Sequence, residues 1–131
     1  MANQDRLFVL QAMIAQGVIP VFYHPDVEVC KNVIQACANA GAKCVEFTNR
    51  GDFAAHVFHD LARHFAQADR SVVLGVGSIV DAPTAALYIA SGARFVVGPL
   101  LNAEVGRLCN RRGVPYSPGC GSATEIGDAQ E

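Results

Sequence analysis

At 131 residues, 51% of them apolar, and with a formal net charge of only −2, the chain has the size of one domain with a real core, residues 1–131. So weak a charge, with no basic patch, argues against a binder of nucleic acid or of membrane surfaces, and the longest apolar runs are strand-sized, too short to span a bilayer. The run Met1-Ala2-Asn3-Gln4-Asp5-Arg6 lacks the charge pattern of a signal peptide, so a cytoplasmic location is expected.

In chain order, a helix is predicted from Asp5 to Gln16, closed by Gly17 and followed by the β-prone run Val18-Ile19-Pro20-Val21-Phe22-Tyr23. His24-Pro25-Asp26 reads as a turn plus a helix cap, opening a helix from Asp26 to Ala40. Gly41 can supply a left-handed cap, after which Ala42 to Thr48 forms a second strand. A helix from Phe53 to Ala68 leads into Ser71-Val72-Val73-Leu74-Gly75-Val76, here without an intervening glycine. Asp81 can cap a helix from Ala82 to Ser91, with Pro83 in its first turn, and Gly92 separates it from Ala93-Arg94-Phe95-Val96-Val97. Asn102 caps a helix from Ala103 to Arg112, Gly113 precedes Val114-Pro115-Tyr116, and Ser122-Ala123-Thr124-Glu125 has the form of a capping box.

The second strand carries the most informative pattern, Val45-Glu46-Phe47-Thr48-Asn49-Arg50. Alternation puts Cys44, Glu46 and Thr48 on one face and Val45 and Phe47 on the other, with Arg50 continuing the Glu46 face at the strand's end. A carboxylate among apolar neighbours costs several kcal/mol unless it is paired or protonated, and a carboxyl so raised in pKa suits general acid or base work near neutral pH. A structural Glu46–Arg50 ion pair or a strand edge in water accounts for the same residues equally well, and both explanations stay open at this point.

Five strand-like runs, each followed by a helical pattern, imply parallel pairing through right-handed crossovers. A doubly wound, flavodoxin-like sheet would suit this length. The loops favour an α/β fold of the (β/α)8 barrel type, because polar or glycine-rich signals follow nearly every strand: His24-Pro25-Asp26, Asn49-Arg50-Gly51, Gly77-Ser78, Gly98-Pro99 and Pro118-Gly119-Cys120-Gly121-Ser122. A barrel gathers chemistry from several strand ends, whereas an open sheet concentrates it at one switch point. Five units are an incomplete barrel.

The ordered motifs are similar to those of a known family, the class I aldolases acting on 2-keto-3-deoxy-6-phosphogluconate and 4-hydroxy-2-oxoglutarate. Gly17 to Phe22 resembles the family's first strand and Glu46-Phe47-Thr48-Asn49-Arg50 its Glu-Val-Thr-Leu-Arg signature. Gly75-Val76-Gly77-Ser78 resembles Gly-Ala-Gly-Thr of the third strand, and Phe95-Val96-Val97-Gly98-Pro99 the fourth-strand segment ending Ser-Pro-Gly. Pro118-Gly119 followed by Ala123-Thr124-Glu125-Ile126 resembles the fifth loop. The resemblance implies a TIM barrel, usually homotrimeric, that cleaves a 2-keto acid to pyruvate and an aldehyde through a lysine Schiff base, with no metal or other cofactor. It implies that Glu46 is the general acid/base, that Arg50 binds the pyruvyl carboxylate, and that Thr48, Ser78 and Pro99 line the substrate pocket. Asn49, Gly51 and Leu100 depart from the family pattern, at positions expected on the pocket's rim.

The Schiff-base nucleophile is a lysine, and the chain holds two, Lys31 and Lys43. Lys31 falls on a helix and Lys43 at the wrong end of the second strand. The family's lysine lies on the sixth strand, so it is expected beyond Glu131, and the chain is read as the N-terminal part of an aldolase-type barrel. The alternatives are an inactive remnant or binding module that keeps the carboxylate site, or another phosphate-sugar barrel enzyme. The remaining signals are read plainly. The five cysteines form no CxxC pair and are taken as small buried hydrophobes, with Cys120 in a glycine-rich loop. His56, His59 and His64 are taken as a solvated helix face rather than metal ligands. Gly75-Val76-Gly77 lacks the third glycine of a dinucleotide fingerprint.

Overall fold

The computed structural model describes residues 4–131, so Met1, Ala2 and Asn3 of the N-terminal run considered for a leader lie outside the described residues. Helices and strands alternate: α1 (Arg6–Gln16), β1 (Val21–Phe22), α2 (Val27–Asn39), β2 (Cys44–Thr48), α3 (Ala54–Ala68), β3 (Val73–Gly77), α4 (Ala82–Ala90), β4 (Val96–Gly98), α5 (Ala103–Arg112), β5 (Tyr116–Pro118) and α6 (Ala123–Gln130). Five helix starts are fixed by a side-chain oxygen that accepts an orphan backbone N–H: Asp5, Asp26, Asp81, Asn102 and Ser122. The capping box at Ser122 forms in altered shape. Ser122 Oγ accepts the Glu125 N–H at 3.2 Å, but the Glu125 carboxylate reaches back to the amide of Gly121, one residue before the expected one. The recurring glycine after the helices has a backbone cause: Gly17, Gly41, Gly92 and Gly113 all have positive φ, which turns the chain from helix into strand. Where the glycine is missing, Asp69 ends α3 in extended conformation and accepts the Ser71 N–H at 3.0 Å.

Strand order decides between the two architectures. All four pairings are parallel and run β1-β2-β3-β4-β5 without a reversal, so among the described residues there is no switch point and the doubly wound alternative is excluded. Sequential order with one hand of crossover lays helices on one face of a curving sheet, the arrangement of an unclosed barrel. Neighbouring helices α2, α3, α4 and α5 accordingly pack in succession. Two strands differ from expectation. Regular pairing in β1 covers only Val21–Phe22, and β5 runs from Tyr116 to Pro118 rather than from Val114. Pro20 and Pro115 lack the N–H that would extend the ladder, although their carbonyls still accept from Glu46 and Val96 at 2.9 Å.

Alternation divides the core in two. Val45, Phe47, Leu74, Val76 and Val96 face the helices, meeting Ile34, Phe58, Leu61, Tyr88 and Val105. The opposite face holds a smaller cluster, Cys44, Val73 and Phe95, closed from below by Val9 of α1 with Ala12 and Met13 against it. Val21, which stands beside Glu46 on that inner face, is more than half exposed, as are Leu7 and Ile14 of α1 and Val18 just after it. Among the described residues no helix is long and apolar enough to cross a membrane. Cys30, Cys44 and Cys109 are buried, as small core residues are, whereas Cys37 and Cys120 are half-buried; all five thiols are free.

Candidate functional site

Glu46 sits on the inner face in the middle of β2, paired with Val21 on one side and Gly75 on the other. It is 9% exposed. Its side chain leans along the strand toward the carboxyl end and crosses onto β3, where a Cβ on Gly77 would lie 2.5 Å from Glu46 Cδ. Gly75, one pleat earlier, has the space over its bare α-carbon filled by the ring of Phe95, the residue just before β4. The Gly75-Val76-Gly77 pattern therefore exists to let two large side chains lie across one strand, and the carboxyl stands directly above an apolar layer of Phe95, Val73 and Cys44. Burial pushes the Glu46 carboxyl above the ordinary value of 4.5, and the positive charge of Arg50 pulls it down more weakly.

Arg50 stands two residues after the last residue of β2 and is exposed. Its position is set by the backbone: the Asn49 N–H donates to the Gly77 carbonyl at 2.9 Å and the Arg50 N–H to the Thr48 carbonyl at 2.8 Å. The ion pair with Glu46 that could have made both charges structural is not formed. Among the described residues the one salt bridge joins Lys31 to Glu28 at 2.6 Å, and the Arg50 guanidinium has no hydrogen-bond partner. A buried carboxyl and an unclaimed guanidinium thus lie near one another at the carboxyl end of the sheet, coupled through space but not neutralised.

Three more expected residues end at that same edge. Thr48, 3% exposed, closes β2 opposite Gly77. Ser78 comes next after β3 with φ of 60°, a left-handed conformation that a serine holds only under constraint from its surroundings. Pro99 follows β4 and is exposed; its carbonyl carbon would be 2.7 Å from a Cβ on Gly119, so the loops after β4 and β5 touch there. The structure brings Glu46 and Thr48 onto one face and sets Arg50, Ser78 and Pro99 at the strand ends above them.

Several details differ from the sequence expectation or were missed by it. Asn49 does not border the pocket: it points outward, and its Oδ1 accepts a 2.7 Å hydrogen bond from the buried Tyr88 hydroxyl of α4. Burial drives that phenol up to about 12. Tyr23 and Phe53 carried no expectation, yet a Cβ on Gly51 would be 3.0 Å from the Tyr23 hydroxyl oxygen, and Phe53 stands 76% exposed with φ of 64° just before α3. Their places in the sequence, Tyr23 just before the strand-end signal His24-Pro25 and Phe53 two residues after Gly51, offered the one clue. Neither lysine approaches Glu46: Lys31 is paired on α2, and Lys43 precedes β2 at the opposite end. The three α3 histidines have three surroundings. The His56 ring lies tilted beside Phe53 with centroids 6.1 Å apart, His59 lines the α3–α4 cleft, and His64 lines the α2–α3 cleft.

The family described as KDPG and KHG aldolase matches residues 9–131. A 2-dehydro-3-deoxy-phosphogluconate aldolase from Treponema pallidum is 35% identical over 123 residues, which are 94% of this chain and 57% of that protein. Among solved structures, a 4-hydroxy-2-oxoglutarate/2-dehydro-3-deoxyphosphogluconate aldolase superposes with a TM-score of 0.80 at 26% identity, covering 92% of this chain and 57% of the other. A KDPG aldolase from Legionella pneumophila, solved with pyruvate captured as a covalent carbinolamine intermediate, shares the fold at a TM-score of 0.76 and 23% identity, covering 91% and 56%. The chain spans little more than half the length of the curated relatives it matches.

Proposed function

This chain belongs to the KDPG and KHG aldolase family, and on that footing we propose that it forms the first five βα units of a class I aldolase. The complete enzyme cleaves a 2-keto-3-deoxy-6-phosphogluconate or 4-hydroxy-2-oxoglutarate type substrate to pyruvate and an aldehyde. One observation carries this reading: a buried, raised-pKa carboxyl next to a guanidinium that no protein carboxylate claims. Arg50 offers the planar donor pair that a 2-keto acid carboxylate accepts in bidentate fashion. Glu46 is then within the substrate's reach, and a carboxyl raised by burial can take the hydroxyl proton as the C–C bond breaks and its electrons pass into the Schiff base to form an enamine, then return a proton to the enamine carbon. Thr48, Ser78 and Pro99 form the wall around the pyruvyl group.

The Schiff-base lysine is supplied from beyond residue 131, on the next strand. Val21 of the edge strand β1 is more than half exposed, which supports that reading, since further strands closing the barrel beside β1 would cover it. The complete protein is a cytoplasmic homotrimer that uses no metal. Borohydride reduction in the presence of pyruvate tests the proposal. The product of the complete reading frame should gain one reduced pyruvate on a lysine, and a frame that stops at Glu131, or a folded product that stays unlabelled, would sink the Schiff-base mechanism.

A second reading rests on the placement of Lys31 and Lys43 away from Glu46. In it the protein is a binding module that retains the carboxylate site without turnover. Pyruvate binding that Arg50→Ala abolishes, together with no borohydride label, would select it.

A further inference from the structure

Arg63, Arg70 and Arg94 border a single cleft of about 780 Å³ between α3 and α4. Its walls are Ala62, Phe65, Ala66 and Ala90, and no aspartate or glutamate lines it. Three of the ten cationic side chains of a net-negative chain gather there. The cleft opens where β3 begins and just before β4, at the amino end of the sheet, so it is separate from the Glu46 site at the carboxyl end.

The ordinary duties of surface arginines do not account for the cluster. None of the three is in an ion pair among the described residues. The nearby acids are otherwise placed: Asp69 accepts from Ser71, and Asp60 lines the neighbouring α2–α3 cleft, which Arg63 also borders without pairing. Arginine is favourable at a helix C-terminus, and Arg70 Nε does donate to the Ala66 carbonyl of α3 at 3.1 Å. Among the described residues its two terminal nitrogens have no hydrogen-bond partner. The end of α4 is closed by its own backbone, through Ser91, Gly92 and Ala93 N–H groups donating to Leu87, Ile89 and Tyr88, so Arg94 has no such task. Arg63 lies in the middle of α3, far from either helix end. Gln4 stiffens the rim by donating to the Arg70 and Val72 carbonyls at 2.8 and 3.0 Å.

We propose that this cleft is a second binding site, for an organic phosphate. The phosphate dianion is held by the three guanidiniums, whose forked donors match its oxygens, while the ligand's apolar body rests on Ala62, Phe65 and Ala90. A site of this size suits a small metabolite, and its position makes it independent of the reaction end of the sheet.

Titration of the isotope-labelled protein with phenyl phosphate, followed through backbone amide resonances, tests this directly. Saturable shifts should appear at Ala62, Ala66, Ser91 and Gly92. Phenyl phosphate should bind about tenfold more tightly than inorganic phosphate, the worth of partly burying the ring. It should also bind more tightly than benzoate, which separates phosphate from carboxylate recognition. The Arg63→Ala/Arg94→Ala double variant, altered only at exposed side chains, should keep the wild-type urea midpoint and lose affinity by about tenfold or more. Unsaturable shifts, shifts confined to Arg50, Ser78 and Gly98, benzoate binding as tight as phenyl phosphate, or equal affinity in the double variant would overturn the proposal. So would self-association in sedimentation that the double variant abolishes, because a second copy would then occupy the cleft.

Discussion

The Glu46 carboxyl occupies the space that a side chain on Gly77 would fill, with the glycine's missing Cβ only 2.5 Å from Glu46 Cδ. Two residues of adjacent strands thus share one volume, and the acid can lie over β3 only because its neighbour has no side chain. Gly77→Ala should therefore move the carboxyl out toward water. The expected result, read by carbon NMR of the labelled carboxyl, is a Glu46 pKa that falls back toward 4.5, with the fold retained at a cost of about 1–3 kcal/mol. An unshifted carboxyl in this variant would show that burial over β3 is not what raises it.

Glu46 also sets a pH dependence of stability. Its folded pKa is raised, so folding favours the protonated form; the corresponding stability is fully present below the unfolded value of 4.5 and is lost as pH rises through the folded value. Glu46→Gln removes this term. Urea denaturation from about pH 4 to about pH 8 should show the wild type losing stability relative to Glu46→Gln as pH rises, with no such relative loss below the window. A difference that grows as pH falls would mean that the carboxylate, not the acid, is the favoured folded form.

The strand pattern made much of this legible. Alternation in Cys44 to Thr48 placed Glu46 and Thr48 on one face, and the short polar signals after the strands marked the end of the sheet where Arg50, Ser78 and Pro99 lie. The register was not legible. That Gly75 yields to Phe95 and Gly77 to Glu46 depends on which residues of adjacent strands stand opposite, and alternation within one strand carries no such information. Asn49 was misjudged for a related reason. It departs from the expected apolar residue, but its parity turns it toward the helices, where Tyr88, 39 residues away, receives it.

The Tyr88–Asn49 hydrogen bond joins α4 to the segment between Thr48 and Arg50. Tyr88→Phe should leave the half-buried Asn49 carbonyl without its donor and cost about 1 kcal/mol in urea unfolding. Replacing both partners, Tyr88→Phe with Asn49→Leu, should recover most of the loss, because no polar atom is then stranded. A double variant less stable than Tyr88→Phe alone would contradict this assignment.

Arg50→Lys keeps the charge and removes the planar fork. Pyruvate binding, followed through the Arg50, Thr48 and Ser78 amides, should weaken by about tenfold, and Arg50→Ala should weaken it further. Equal affinity for Lys and Arg would mean that the site uses a point charge rather than bidentate recognition.

The most direct test of the central claim, that Glu46 moves protons on a pyruvyl group held by Arg50, is exchange of the pyruvate methyl protons in heavy water by the product of the complete reading frame. Deuterium should be incorporated without any aldehyde present, at a rate that falls by about a hundredfold or more in Glu46→Gln. Exchange at the wild-type rate in Glu46→Gln would contradict it.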